Sequence, residues 1–281
     1  MPRNPENELT YFIENVVKHS EKNRLQRLDQ SPIYDPPLVG FARGDDHLFD
    51  DYKRIIGEFH WTPREMLKMH FPEWNDKEDS CSVVCWVLPI TEETRRSNAS
   101  QSTYPSERWA HTRLYGEQFN DHLRQTIVDQ LASQGYLAVA PILSQHYGSG
   151  YTGNTGLASS WSERHVLYVA GMGTFSLSDG FITPKGIAVR CGSIVTNLEL
   201  EPTTRAYKTH LENCLFYRTG KCAECISRCP VRAITEMGHD KAKCGDFLGK
   251  EAADYVSKNY GVKGGCCGLC QTRVPCESKI P

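Results

Sequence analysis

The stretch that decides the fold lies near the carboxyl end of the chain. It reads Cys214-Leu-Phe-Tyr-Arg-Thr-Gly-Lys-Cys222-Ala-Glu-Cys225-Ile-Ser-Arg-Cys229-Pro230. A second group follows, with Cys244 and then Cys266-Cys267-Gly-Leu-Cys270-Gln-Thr-Arg-Val-Pro-Cys276. Nine of the 12 cysteines therefore fall in the last 68 residues. Because the apolar residues of this region are scattered singly among turns, its centre is predicted to be inorganic rather than a conventional hydrophobic core.

The spacing of these cysteines is typical of iron–sulfur proteins. The end of the first group, C-x2-C-x3-C-P, matches the end of the C-x2-C-x2-C-x3-C-P run of bacterial ferredoxins, in which each run gives its last cysteine to the other cluster. The first position of the run would be Thr219, so Cys214 is the natural substitute and Cys266 the alternative. The pairing rule then predicts two [4Fe-4S] sites, one formed by Cys214, Cys222, Cys225 and Cys276, and the other by Cys229, Cys244, Cys267 and Cys270.

A pair of zinc sites is the alternative interpretation, since C-x2-C occurs twice. The 41 residues between Cys225 and Cys267 exceed the roughly 15–20 that separate the halves of a zinc ribbon. A zinc site also does not require the proline that follows Cys229. No export signal is visible, so we expect a reducing, cytoplasmic compartment in which disulfides are disfavoured.

The composition excludes several classes of protein. Of the 281 residues 39% are hydrophobic and 23% charged, which is typical of a globular chain and not of a disordered one. A net charge of −2 argues against a large surface for nucleic acid or anionic lipid. The longest apolar run, Val83–Ile90, is too short to cross a bilayer.

Apolar periodicity predicts strands that alternate with helices in the first part of the chain. The predicted strands are Ser82–Ile90, Tyr136–Leu143 and Ile187–Leu198, and the predicted helices are 6–26, Ser106–Gln134 and Trp161–Ala170. This order predicts an α/β (α+β) layered fold for residues 1–205, followed by the cysteine-rich unit 206–281. Cys81, Cys85 and Cys191 lie in or near the strands and are interpreted as buried, inert thiols.

Several stretches resemble one known family. They are Tyr136-Leu-Ala-Val-Ala-Pro141-Ile-Leu, Glu163-Arg164-His165-Val-Leu-Tyr-Val-Ala170-Gly171-Met-Gly173, Ile182-Thr-Pro-Lys-Gly and Gly192-Ser-Ile-Val-Thr196, followed by the cysteine-rich unit. Together they resemble the epoxyqueuosine reductases, whose core is shared with the reductive dehalogenases. The resemblance covers about residue 80 to the carboxyl end. It implies a nitroreductase-like domain that binds cobalamin, followed by a ferredoxin-like domain with two [4Fe-4S] clusters.

The resemblance implies an enzyme in which a low-potential donor, a ferredoxin or flavodoxin-like protein, passes electrons through the clusters to cobalamin. The substrate is expected to be a small organic molecule. An electron-transfer protein that reduces a protein acceptor, for example a corrinoid protein, is the second hypothesis, and a cluster-bearing sensor or scaffold is the third. No nucleic acid or membrane partner is expected, because the chain has no basic stripe and lacks the helical extension with which the family engages tRNA.

Three departures from the family pattern concern catalysis and cofactor binding. The family has an aspartate as proton donor three residues before the proline matched by Pro141, and this chain has Ala138 there. The 19-residue segment Ser144–Ser162 is an insertion beside that place and is interpreted as a functional loop. Its candidates for a replacement proton donor are His146, Tyr147 and Tyr151. Finally, Ser176-Leu177 replaces a Gly-Lys pair of the family.

The resemblance also points to residues that would contact a corrinoid: Arg164, Gly171, Gly173 and Ser176. Each has a simpler interpretation. Arg164 fits a surface arginine at the start of a helix, and the two glycines fit a turn. The neighbouring Glu163 fits a carboxylate at a helix N-terminus, where the helix dipole favours negative charge.

Overall fold

A computed structural model describes residues 4–154 and 156–281. At its centre lies a four-stranded antiparallel sheet with the strand order β1-β2-β8-β3. The strands of this sheet are β1 (Leu38–Arg43), β2 (Ser82–Pro89), β3 (Ala138–Val139) and β8 (Val189–Thr196). The other strands pair as hairpins: β4 (Ser149–Gly153) with β5 (Gly156–Ser159), β6 (Thr174–Phe175) with β7 (Phe181–Ile182), and β9 (Ile234–Thr235) with β10 (Gly238–His239).

Ten α-helices surround these strands in the described part of the chain. They are α1 (Pro5–His19), α2 (His47–Ile55), α3 (Pro63–His70), α4 (Glu92–Ala99), α5 (Glu107–Ser133), α6 (Glu163–Val169), α7 (Leu215–Thr219), α8 (Glu224–Ser227), α9 (Lys241–Phe247) and α10 (Ala253–Tyr260). A π-helical segment, Leu248–Ala252, joins α9 to α10, and 3-10 turns lie at Pro141–Leu143 and Leu269–Gln271. None of the helices in the described ranges has both the length and the apolar character that a membrane span requires.

The layers follow from the alternation of side chains along β2, all of whose residues are buried. Val84, Trp86 and Leu88 pack with α1 and α5 in one core. Val83, Cys85 and Val87 pack on the opposite face with α2, α3 and α6. Burial of a side chain of this size contributes about 1.5–3 kcal/mol relative to exposure. The result is a helix–sheet–helix arrangement, which confirms the predicted α+β class.

The strongest sequence patterns predicted their elements well. Strand β2 and helix α5 end within one residue of the predicted Ser82–Ile90 and Ser106–Gln134, and Ser106 caps α5 by accepting a hydrogen bond from the backbone N–H of Trp109. The predicted helix 6–26 was too long, because α1 ends at His19. The predicted strand Tyr136–Leu143 was wrong beyond Val139, because Pro141 begins a 3-10 turn there.

The cysteine-rich unit shares its packing with the rest of the chain. Val256, Val262 and Cys266 are buried in the same core as Trp109 and Phe119 of α5. A smaller core combines residues from both sides of position 205: Leu177, Ile182, Ile187, Cys214, Ile234 and Val274. The division into 1–205 and 206–281 therefore stays a prediction.

Candidate functional site

Four predicted ligands of one cluster lie close together and form the first thiol set: Cys214, Cys222, Cys225 and Cys276. They line one cavity, whose other walls are mostly apolar, including Ile187 and Val274. Burial raises the pKa of Cys225 to about 12, and the nearby thiols of Cys214 and Cys222 add to the effect. The same three thiols act on Cys276. The structure thus brings together cysteines that are up to 62 positions apart (276 − 214).

The other four predicted ligands form the second thiol set: Cys229, Cys244, Cys267 and Cys270. Burial raises the pKa of Cys270 above its ordinary range, and the thiols of Cys267, Cys244, Cys225 and Cys229 raise it further. Because Cys225 belongs to the first set, the two sets are neighbours. Iron binding requires the thiolate form, and protein N–H groups already point at the sulfur atoms. The backbone N–H of Ala233, for example, donates to Sγ of Cys229 at 3.2 Å.

A buried arginine braces the second thiol set. Arg228, which precedes Cys229, is only 4% exposed. Its Nε donates to the carbonyls of Leu269 (3.2 Å) and Thr272 (3.0 Å), on either side of Cys270. Its Nη1 donates to the carbonyl of Gln101 at 2.7 Å, and its Nη2 to that of Asn98. The planar guanidinium therefore ties both cysteine loops to the end of α4.

The remaining cysteines lie outside the two sets. Cys266 is buried against the core of α5, where Arg113 and Arg190 are its charged neighbours. Cys81 and Cys85 are buried in the sheet core, as predicted. All 12 cysteines are free thiols. Within residues 4–154 and 156–281, no three His, Cys, Asp or Glu side chains converge closely enough to bind a single metal ion.

A cavity of about 480 Å³, here called the arginine cavity, lies beside the two thiol sets. Ile187 lines both this cavity and the cavity of the first thiol set. Gln271, which follows Cys270 in the chain, also lines the arginine cavity. The charged side chains on its wall are Arg113, Glu117, Arg124, Glu163, Arg164 and Arg190.

Glu163 and Arg124 form the centre of a buried ion-pair network on this wall. Arg124 is 1% exposed and lies 3.1 Å from Glu163, 2.7 Å from Asp121 and 3.3 Å from Glu117. Ser193 donates its hydroxyl to the other carboxylate oxygen of Glu163. Burial raises the pKa of Glu163 despite the attraction of Arg124. Glu163 is therefore more than a carboxylate at a helix N-terminus, because it joins α6 to α5 and β8.

Cys191 of β8 also lines the arginine cavity. Burial raises the pKa of its thiol to about 12, and the charge of Glu163 contributes. At neutral pH the side chain is thus a protonated thiol rather than a nucleophilic thiolate.

Of the three predicted proton donors, only Tyr147 reaches the arginine cavity. His146 is exposed, and its ring lies edge-on to that of His70 at 5.4 Å. Tyr151 is 42% exposed and stacks on Phe59 at 4.6 Å. It belongs to the β4–β5 hairpin, so the segment Ser144–Ser162 has more regular structure than the predicted loop. Ala138 packs in the core of α5.

The four predicted corrinoid contacts do not converge on one cavity. A Cβ on Gly171 would lie 2.7 Å from the carbonyl oxygen of Thr204, and one on Gly173 would lie 2.5 Å from that of Ile182, so both glycines are needed by backbone packing. Ser176 bonds to Ser178 and lines a cavity of about 390 Å³. Arg164 lines that cavity and the arginine cavity, and it donates to the carbonyl of Asp179.

The residues predicted to contact cobalamin therefore do not form one site for it. The arginine cavity measures about 480 Å³, and six of the side chains on its wall are charged. A larger cavity, of about 590 Å³, lies among Arg43, Asp46 and Arg205 and contains none of the predicted site residues.

Sequence reasoning missed the arginine cavity and the Arg228 brace. One signal was present: Arg113, Glu117 and Arg124 follow one another at intervals of four and seven residues, which places them on one face of α5. Arg190 and Arg228 carry no such signal, because their surroundings come from distant parts of the chain.

No family model matches the sequence, and no curated protein is significantly similar to it. Among solved structures, a reductive dehalogenase described for B12-dependent dehalogenation aligns with a TM-score of 0.52 and 13% identity, covering 84% of this chain and 29% of that one. A catabolic reductive dehalogenase aligns with 0.52 and 14%, over 86% and 30%. An epoxyqueuosine reductase with a tRNA stem loop aligns more weakly, with 0.47 and 17%, over 96% and 66%. The chain thus spans less than a third of these dehalogenases, and the comparison confirms, as a shared fold, the predicted resemblance to them.

Proposed function

We propose that this protein is an iron–sulfur oxidoreductase that reduces a small molecule in the arginine cavity. In this proposal the first and second thiol sets hold one [4Fe-4S] cluster each. The observation that carries it is the sorting of eight cysteines into two adjacent sets of four beside a cavity. The dehalogenase-like fold also supports a redox role.

Bound clusters would supply one-electron transfer at low potential. The chain contributes the surroundings. Apolar side chains around the first thiol set exclude water, and Arg228 holds the loops of the second set in place. Ile187 lines both the arginine cavity and the cavity of the first thiol set, and Gln271 on the wall of the arginine cavity follows Cys270 in the chain. Tyr147, on the cavity wall, is the proposed proton donor.

Cobalamin is not part of this proposal, because the residues predicted to contact it do not form one site. We expect that iron-loaded protein mixed with hydroxocobalamin retains no corrinoid after desalting. Retention of one corrinoid per chain would contradict this. The second hypothesis, an electron carrier for a protein acceptor, predicts the same clusters but an arginine cavity that binds no small molecule.

Iron content tests the proposed clusters. Anaerobically reconstituted protein should hold about eight irons per chain and give the electron paramagnetic resonance signals of reduced [4Fe-4S] clusters. Cys225→Ser and Cys270→Ser should each lower the content to about four irons. Cys266→Ser is the matched control and should keep all of them. Colourless protein, or protein that takes up zinc instead of iron, would overturn the proposal.

A further inference from the structure

The two carboxylates on the wall of the arginine cavity already form ion pairs with arginines. Glu163 pairs with Arg124 and accepts a hydrogen bond from Ser193. Glu117 lies 3.5 Å from Arg113 and 3.3 Å from Arg124. Four guanidinium groups thus face two carboxylates. The wall has an excess of positive charge.

Arg190 is the least satisfied of these arginines. It extends from β8, and its Nε is buried without a hydrogen-bond partner among the described residues. The Nε of Arg124 is unpartnered and buried in the same way. An N–H group that is buried without an acceptor destabilises the folded protein, and more so when it carries charge. Arg190 also lines the arginine cavity.

Arg113 and Arg190 lie close enough to repel each other. The charge of Arg190 is the main cause of a lowered pKa at Arg113, and burial is the second. Two neighbouring guanidinium groups disfavour each other in a partly buried site. An oxyanion between them would reverse this, because carboxylates and phosphates accept paired hydrogen bonds from guanidinium groups.

The size of the cavity sets the kind of anion. About 480 Å³ is far more than one inorganic ion needs, since a water molecule takes about 30 Å³. Apolar and aromatic side chains line the rest of the wall: Ile142, Tyr147, Phe181, Ile187 and Val189. This wall suits the body of a small organic molecule.

We propose that the arginine cavity binds a small organic molecule through an oxyanion, a carboxylate or phosphate group, held by Arg113 and Arg190. The binding follows from the cavity alone, and the identification of this molecule as the substrate rests on the proposed function. Its oxyanion anchors one end, and its body lies towards Ile187 and Gln271, the residues next to the thiol sets.

Calorimetric titration of the full iron-loaded chain at low salt tests this with three probes of one shape: hexanoate, hexyl phosphate and uncharged hexanamide. At least one of the two anions should bind 10-fold or more tightly than hexanamide. The anion that binds more tightly shows whether the site prefers a carboxylate or a phosphate group. Arg190→Gln should weaken its binding about 10-fold or more, equivalent to about 1.4 kcal/mol. Arg54→Gln, the same change at an exposed site that pairs with Asp51, should leave it unchanged.

Iron content separates a failed fold from a failed proposal. Arg190→Gln should keep about eight irons per chain, and Arg113→Lys, which keeps the charge but loses the fork of donors, gives a second variant. Equal binding of hexanamide and the anions, binding unchanged by both substitutions, or no binding by any probe would overturn the inference. Protein that holds about eight irons per chain but binds no anion would overturn this inference and leave the proposed function standing. Anion binding by colourless protein would overturn the proposed function alone.

Discussion

His60 shows how one buried side chain makes stability depend on pH. Its Nε2 accepts a hydrogen bond from the backbone N–H of Ser162, at the start of α6, so the ring must be neutral. Burial lowers its pKa to about 4, and the charge of Lys53 contributes. The neighbouring His165 behaves similarly, and burial lowers its pKa to about 3. A histidine of the unfolded chain has a pKa of about 6.5, so it binds a proton at pH values where the two buried rings stay neutral.

We therefore expect the free energy of unfolding to fall as the pH drops from about 6.5 towards 4, by up to about 1.4 kcal/mol per pH unit for each histidine. His60→Gln retains an acceptor for Ser162 but cannot titrate, so its melting temperature should fall less between pH 7 and 5.5. The control is His47→Gln at an exposed position. Parallel pH profiles for wild type and His60→Gln would contradict the assignment.

At the residue scale, the spacing of the cysteines predicted which of them come together, whereas the sequence did not predict the cavity. The C-x2-C and C-x3-C-P spacings are local, and the pairing rule needs no knowledge of the fold. The structure places Cys214, rather than Cys266, beside Cys222 and Cys225. Arg190 and Tyr147 reach one cavity only after the sheet and α5 have formed. Residues that come together only in the folded chain show no characteristic spacing in the sequence.

At the scale of elements, α8 and the turn after Cys270 depend on Arg228. A lysine has one charged end and cannot reach the carbonyls of Gln101, Leu269 and Thr272 together. Arg228→Lys should therefore leave buried carbonyls without donors, at about 1–3 kcal/mol each. We expect the iron content to fall from about eight towards about four per chain. The electron paramagnetic resonance signal of the cluster in the second thiol set should be lost.

Arg232→Lys is the matched control for this substitution, because Arg232 lies on the same stretch but is exposed. It should keep the full iron content and the wild-type melting temperature. If Arg228→Lys also kept both clusters, the brace would have no part in holding the second thiol set.

Elements with strong periodicity were predicted and short ones were not. Strand β2 is buried along its whole length and α5 has a long apolar stripe, so tertiary contacts only reinforce the local pattern. The hairpin β4–β5 has mostly exposed residues without alternation of apolar and polar side chains. It is held from outside: the side-chain amide of Asn154 donates to the carbonyl of Arg54 at 2.8 Å.

At the scale of the whole molecule, the predicted boundary at residue 205 crosses shared packing. Val256 and Val262 are buried against the core of α5, and the Tyr260 hydroxyl donates to the carbonyl of Pro105. The backbone N–H of Ile187 donates to the carbonyl of Cys276 at 2.8 Å. A fragment of residues 1–205 would expose these apolar surfaces to water.

The fragment 1–205 should therefore lack a cooperative thermal transition and bind a hydrophobic dye, as loosely packed states do. The same segments expressed as two separate chains, 1–205 and 206–281, should reassociate under reconstitution with iron and recover the transition, because the shared core forms again. Differential scanning calorimetry and dye fluorescence measure both effects. A sharp transition in the fragment alone, near that of the full chain, would show that the first unit is an independent domain, since its core would then be complete without Val256, Val262 and Cys266.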